Sequence, residues 1–105
     1  MKRLVGITGS SFYQGANALI GRLRPGNQLL LKRYPDNPVD KNAIAVHWGA
    51  KIIGHLPRGV AKEFAPLIDA GLEVHCRKGN GPWGVLEIEW DENHDAITRN
   101  ATASV

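Results

Sequence analysis

The sequence has a single cysteine, Cys76, and lacks any apolar run that approaches the length of a membrane span. A bilayer crossing needs about 20 apolar residues, and the first eight residues run into a strand-like segment without the hydrophobic core of a signal peptide. A small secreted domain would normally carry paired cysteines. We therefore expect a cytoplasmic protein without a membrane partner.

Motifs of catalysis and metal binding are also scarce. The four histidines include no i, i+4 pair on a predicted helix, and the lone cysteine has no partner for a zinc site. The sequence contains no glycine-rich phosphate loop and no nucleophile motif. We expect no enzyme activity, no cofactor and no metal. A weaker alternative is a metal-dependent, nuclease-like enzyme that uses Asp36 and Asp40.

Charge is unevenly distributed along the chain. Residues 1–62 contain ten Lys and Arg against two acids, whereas residues 63–105 contain three against eight. The first part therefore carries +8 and the second −5. A basic half of this kind attracts a phosphate-bearing partner, although ordinary solvated faces also carry such imbalances.

Composition and periodicity predict one small, mainly β domain. A chain of 105 residues has room for a single core, which we expect over residues 1–92, with a loosely held tail over residues 93–105. Apolar alternation predicts six strands at residues 4–8, 28–33, 43–48, 51–56, 72–77 and 85–90. The three consecutive leucines of the second strand favour burial on both of its faces.

One principal helix is predicted between Pro57 and Gly71, since apolar residues recur there at helical spacing. Pro66 is expected to bend or interrupt this helix. Residues 16–23 are expected to form only a helical turn or two. Six strands with one principal helix predict a small closed or partly open barrel of the OB type. A ferredoxin-like sandwich is the alternative and would need a second full helix.

A polar loop, defined as residues 35–42 (PDNPVDKN), precedes the third strand. Its two prolines restrict the backbone, and its Asp and Asn side chains can bond nearby amides, so the loop should be rigid and suited to a site. Alternatively, these side chains only cap a tight connection.

The polar loop also carries a family resemblance. The run DNPVDKNAIAVHW, followed by KIIGHLPRGVAKEFAPLID, resembles the core signature of the HIRAN domain, and the upstream segments LVGIT and FYQG fit the same pattern. The resemblance covers roughly residues 3–90. It implies a barrel related to the OB-fold that binds the 3′ end of single-stranded DNA.

The resemblance implies roles for particular residues. Phe12 and Tyr13 correspond to paired aromatics that stack terminal bases, Asp40 to an aspartate that accepts a hydrogen bond from the 3′-hydroxyl, and His55 to a histidine near the terminal nucleotide. Trp83 stands where the family has another aromatic.

Two departures from the family pattern put end binding in question. Ser11 replaces an arginine and Val39 replaces a tyrosine of the DNA-binding members. Independently of the resemblance, basic residues interleaved with aromatics predict a groove for single-stranded nucleic acid. The interleaved aromatics are Phe12, Tyr13, Tyr34, Trp48 and Trp83, and the basic residues are Lys32, Arg33, Lys41, Lys51 and Arg58. Of the basic residues, we expect Lys32, Arg33, Lys41 and Arg58 to bind DNA.

We therefore expect a non-catalytic module that recognises single-stranded DNA, preferably its free 3′-hydroxyl end, in DNA repair or replication. Its further partners would be repair or replication proteins. The alternative is a protein-interaction or structural module that keeps the barrel but has lost DNA binding.

Overall fold

The alternating strand patterns form six strands in the computed structural model, which describes residues 1–91. In β6, for example, Leu86 and Ile88 are buried while Glu87 and Glu89 lie on the other face. The tail predicted over residues 93–105 lies outside the described residues. In chain order the elements are β1 (Lys2–Gly6), a 3-10 turn (Ser10–Phe12), α1 (Ala16–Arg22), β2 (Gln28–Arg33), β3 (Ile44–Trp48), β4 (Lys51–His55), α2 (Arg58–Asp69), β5 (Val74–Lys78) and β6 (Val85–Trp90).

The strands form one antiparallel sheet in the order β1-β6-β5-β2-β3-β4. The sheet curls until the chain after β1 meets β4, the strand at the opposite edge. There the amide of Thr8 donates to the carbonyl of His55 at 2.9 Å, and the amide of His55 donates to the carbonyl of Thr8 at 2.8 Å. The predicted mainly β, partly open barrel is confirmed, and this single bridge closes it beside His55.

Gly54 makes that closure possible. A Cβ at this position would lie 2.7 Å from the carbonyl oxygen of Thr8 and 2.7 Å from the side chain of Ile7. The backbone of the two edges can therefore approach only where β4 has no side chain.

The core lies on the inner face of the curled sheet, and α2 packs against it. Val60, Ala61, Phe64 and Ala65 of α2 belong to the same buried cluster as the strand residues. The ring of Phe64 meets that of Trp90 edge-on at a centroid distance of 4.8 Å, a favourable aromatic arrangement. No helix within residues 1–91 combines the length and apolar character needed to span a membrane.

The end of α2 follows the prediction, but Pro66 does not interrupt the helix. Pro66 and Lys62, whose carbonyl Pro66 cannot bond, both lie on the exposed face, where water can satisfy the free carbonyl. At the predicted stop, the amide of Gly71 donates to Ile68 at 3.0 Å and that of Leu72 to Leu67 at 2.9 Å. These bonds form a Schellman motif.

Three strand predictions need correction. β1 occupies Lys2–Gly6 rather than residues 4–8, because Thr8 already belongs to the barrel closure. β5 begins at Val74, since Leu72 completes the end of α2. Leu30 of β2 is 56% exposed, so only one face of that strand is covered.

Candidate functional site

The polar loop is held by its own side chains. The Asn37 Oδ1 atom accepts hydrogen bonds from the amides of Val39 at 2.8 Å and Asp40 at 3.0 Å. The Oδ1 atom of Asp40 accepts from the amide of Asn42 at 2.9 Å. The capping interpretation is therefore correct for Asn37 and for one oxygen of Asp40.

Arg33, at the end of β2, ties the polar loop to α2. Its Nε and Nη2 atoms donate to the two carboxylate oxygens of Asp69 at 2.9 and 3.0 Å. Its Nη1 and Nη2 atoms donate to the carbonyls of Ala43 at 2.8 Å and Lys41 at 3.0 Å. The hydrogen bond from Arg33 lowers the pKa of Asp69. In this geometry Arg33 positions the polar loop, and its predicted contact with DNA stays a prediction.

The barrel closure and the polar loop enclose a groove of about 400 Å³, which we call the Asp40 groove. It brings together four of the nine predicted site residues: Phe12, Asp40, His55 and Arg58. The complete lining is Thr8, Gly9, Phe12, Asn37, Val39, Asp40, Ala43, His55, Leu56 and Arg58.

The two carboxylate oxygens of Asp40 have different surroundings. Oδ2 lies 3.9 Å from Nε of Arg58, too far for a hydrogen bond, and the Asp40 side chain is 23% exposed. The groove thus carries a carboxylate with acceptor capacity beside a solvated guanidinium. Such a pair can accept from a hydroxyl and donate to a phosphate.

Phe12 is the most exposed large apolar side chain of the described residues, at 88% exposure. It lies on the 3-10 turn that follows Gly9, whose φ of 69° turns the chain toward the groove. The aromatic pair therefore divides, because Tyr13 packs against the core while Phe12 does not. A ring left in water beside a polar groove is suited to stacking on a ligand.

A second cavity of about 260 Å³, the Tyr13 pocket, adjoins the Asp40 groove and shares Asn37 and His55 with it. The Tyr13 hydroxyl lies 2.5 Å from Nε2 of His55. Burial lowers the pKa of His55, the charge of Asp40 opposes this, and the proximity of His47 adds to it. The full lining is Tyr13, Tyr34, Asp36, Asn37, Ile52 and His55.

Tyr34 was predicted only as one of the groove aromatics, and His47 was not among the predicted site residues. Their rings stack at a centroid distance of 6.4 Å and an interplanar angle of 18°. Burial, and then the charge of Lys32, lower the pKa of His47. The predicted β3–β4 hairpin was the sequence signal for His47, because it places His47 and His55 on neighbouring strands beside the polar loop. The two histidines do not pair directly, since His47 lies opposite Ile52 and His55 lies opposite Ala45.

The remaining predicted residues lie outside both cavities. The Trp83 Nε1 atom donates to the carbonyl of Asn17 at 3.1 Å, so this ring lies against α1. Lys32 is exposed on β2, and Lys41 is exposed in the polar loop. Of the two departures, Ser11 is exposed beside Phe12, and Val39 lines the Asp40 groove with 77% exposure.

Carboxylates do not converge on a metal position in the part of the chain that the structure describes. Within residues 1–91 no cluster of three or more His, Cys, Asp or Glu could hold a metal ion. Asp36 lines the Tyr13 pocket, whereas Asp40 lines the Asp40 groove. Cys76 is buried, and burial raises the pKa of its thiol to about 12.

The candidate site thus belongs to a small, mainly β domain, a partly open barrel in which an aromatic ring, a carboxylate and an arginine surround one groove at the closure. The family profile of the HIRAN domain matches residues 4–80. The chain belongs to the HIRAN domain family.

Solved structures share this fold. The crystal structure of the HIRAN domain of human HLTF superimposes with a TM-score of 0.73 at 22% identity, covering 97% of this chain and 87% of that one. A protein from Lactobacillus plantarum gives 0.69 at 24% identity, covering 84% and 93%. The NMR structure of the HLTF HIRAN domain in its DNA-bound conformation gives 0.62 at 23% identity, covering 97% and 86%.

One curated relative resembles part of the chain. The Fanconi-associated nuclease 1 homolog of Arabidopsis thaliana is 40% identical over 48 residues, or 45% of this chain. The chain spans only 5% of the length of that relative.

Proposed function

We propose that this chain is a non-catalytic DNA-binding module that captures the free 3′-hydroxyl end of a single strand. The observation that carries the proposal is Asp40, whose Oδ1 is fixed by the loop backbone while Oδ2 remains available in the Asp40 groove. The DNA-bound conformation of the HLTF HIRAN domain, which has the same fold, supports DNA as the ligand class.

The carboxylate of Asp40 gives the end its specificity. Oδ2 can accept a hydrogen bond from a 3′-hydroxyl, but it would repel a 3′-phosphate or a continuing chain. Arg58, 3.9 Å away, is placed to donate to the phosphate that links the last two nucleotides. Phe12, exposed at the rim, stacks on the terminal base.

His55 lines both cavities, and Tyr13, which is hydrogen-bonded to it, lines the Tyr13 pocket. Their hydrogen bond orients both rings, and the lowered pKa of His55 keeps its imidazole neutral at pH 7. The Tyr13 pocket then receives the base next to the terminal one.

The proposal accommodates both departures. The charge that Ser11 does not supply comes from Arg58 on the opposite wall of the groove. Val39 offers an apolar contact to a sugar or base edge in place of a larger ring. We place the module in DNA repair or replication, where it would bring partner proteins to strand ends.

The test compares oligonucleotide ends. Fluorescence anisotropy of 5′-labelled oligothymidylate should show tighter binding to a 3′-hydroxyl than to a 3′-phosphate, by about tenfold or more. In Asp40→Asn, which keeps an acceptor for the Asn42 amide, this preference should disappear. Glu73→Gln, an exposed site outside the Asp40 groove and the Tyr13 pocket, is the matched charge control and should bind as the wild type does.

Three outcomes would contradict the proposal. Equal affinity of the wild type for both ends would reduce the site to a basic, aromatic groove. Absence of binding at low and high salt would favour a protein partner for the same barrel. The oligonucleotide should stay intact on a denaturing gel after incubation with magnesium or manganese, and metal-dependent shortening would overturn the non-catalytic assignment.

A further inference from the structure

A third cavity, of about 700 Å³, lies between α1 and the tip of the β3–β4 hairpin. We call it the hairpin pocket. Its surface is formed by the small residues Gly15, Ala18 and Ala50, the apolar side chain of Leu19, the ring of Trp48 and the cationic side chains of Arg22 and Lys51.

The chemistry of this pocket suits a nucleotide. Trp48 is half-buried and packs against the core, so it offers a fixed ring. The small residues leave room above it, and none of the residues that line the pocket is acidic. Within residues 1–91, neither Arg22 nor Lys51 forms an ion pair. Two cations without an ion pair among these residues can bind a phosphate, and the aromatic ring beside them can stack on a base.

The hairpin pocket is lined by the same two chain segments that line the cavities of the proposed end site. His55 lines the Asp40 groove at one end of β4, Ile52 lines the Tyr13 pocket, and Lys51 lines the hairpin pocket at the other end. Along the 3-10 turn and the start of α1, Phe12, Tyr13 and Gly15 line the same three cavities in the same order. The three cavities therefore occur in the same order along both segments.

The distance along β4 sets how many nucleotides separate the hairpin pocket from the end held at Asp40. Lys51 and His55 are four residues apart on β4, which contains a bulge between them, a distance of about 10–13 Å. A stacked strand spans about 3.4 Å per nucleotide and an extended one more. The hairpin pocket thus lies about two to four nucleotides from the end held at Asp40.

We propose that the hairpin pocket is a second DNA subsite, which holds an upstream nucleotide of the strand whose 3′ end occupies the Asp40 groove. Its base stacks on Trp48 and its phosphate lies between Arg22 and Lys51. This inference rests on the proposed end capture, and it adds a prediction of its own: affinity depends on strand length.

The test is a competition series. Unlabelled oligothymidylates with a 3′-hydroxyl, from a dinucleotide to an octanucleotide, displace a labelled decanucleotide from the full chain. Wild-type affinity should rise with length and level off once the strand reaches the hairpin pocket. In the double variant Arg22→Ala/Lys51→Ala, the dinucleotide should bind as before while longer strands lose about tenfold. The salt slope for the octanucleotide should fall by about 0.7, the value for one phosphate contact on a single strand.

A control variant and a fluorescent base test the roles of the two cations and of Trp48 separately. Lys62→Ala removes an exposed cation of α2 that lines none of the three cavities, and it should preserve the length dependence. A 2-aminopurine placed at successive positions should be quenched most about two to four nucleotides from the 3′ end. In Trp48→Leu, checked for folding by circular dichroism, that quenching should be lost.

Each outcome decides between the two proposals. If end capture by Asp40 holds but affinity does not rise beyond the dinucleotide, the hairpin-pocket subsite is wrong and the proposed function stands. The subsite is equally wrong if the double variant weakens all lengths alike. If no oligonucleotide binds, both proposals fail.

Discussion

Asp40 performs two tasks with its two oxygens. Oδ1 accepts from the Asn42 amide and fixes the loop, and Oδ2 remains available in the groove. From the sequence, capping and ligand binding stood as alternatives for this residue. The structure makes them compatible, because a carboxylate with one oxygen fixed presents the other in a defined direction.

His47 and His55 make the stability of the fold depend on pH. Both have pKa values below the ordinary 6.5, chiefly because of burial. The unfolded chain therefore binds protons at a higher pH than the folded chain does. The histidine contribution to stability is fully present above about pH 6.5 and decreases as the pH falls toward the lowered values.

We expect urea unfolding to show a lower free energy at about pH 5.5 than at about pH 7.5. The double variant His47→Gln/His55→Gln should flatten this dependence over the same interval. His75, an exposed histidine of β5, supplies the control, and His75→Gln should retain it. A wild-type profile that is flat across the interval would show that these two rings are not the source of any pH response.

At the scale of the element, predictions from sequence succeeded where local chemistry decides the structure. The bounds of β2 and β6, the two-residue Gly49–Ala50 turn and the Gly71 stop were all predictable from periodicity and turn residues. Pro66 was misjudged, because the exposure of its helix face cannot be read from the residue itself.

The candidate site could be predicted only in part, because some of its hydrogen bonds join residues that are far apart in the sequence. The bonds of Asn37 and Asp40 span two or three residues and follow from residue type. The Tyr13–His55 bond spans 42 residues and the Arg33–Asp69 pair 36, so both depend on how the sheet curls. The sequence shows that one half of the chain is basic, but it does not show which of those cations pair with groups of the same chain.

The closure of the barrel gives a prediction for β4. Gly54→Ala would push a methyl group against the Thr8 carbonyl and the Ile7 side chain, each 2.7 Å away, and backbone cannot move aside as a side chain can. We expect the free energy of unfolding to fall by about 3 kcal/mol in urea denaturation. Gly59→Ala, in α2 with no atom within 4 Å of the added Cβ, is the matched control. It should leave stability unchanged or raise it by about 0.5–1 kcal/mol.

If the two glycine variants lost the same stability, the loss would reflect a general sensitivity to added methyl groups and not the closure. A folded Gly54→Ala variant whose Thr8 and His55 amides exchange rapidly with solvent would instead locate the damage at the bridge.

At the scale of the whole molecule, charge separates into two regions with different uses. Glu87 and Glu89 of β6 are paired with Arg77 at 2.6 and 2.7 Å, on the part of the sheet that contains β5 and β6. Arg58 lines the Asp40 groove, and Arg22 and Lys51 line the hairpin pocket, all within the basic half of the chain. The field of the molecule therefore favours approach of an anion from the side of the three cavities.

Arg33 connects the polar loop to α2 and, through α2, to the core. Arg33→Ala should open the loop without unfolding the barrel, at a cost of about 1–2 kcal/mol, because the exposure of Asp69 weakens the ionic part. Hydrogen exchange should accelerate about tenfold at the amides of Tyr34, Asn42 and Ala43.

Arg77→Ala is the matched control, because Arg77 also pairs with carboxylates but on β5, away from the polar loop. It should leave those three loop amides unchanged. If Arg33→Ala accelerated exchange equally in β6, Arg33 would support the fold as a whole and would have no special role in the loop. If only the loop opens, the proposed preference for a 3′-hydroxyl should weaken with it, because Asp40 would then lose its fixed direction.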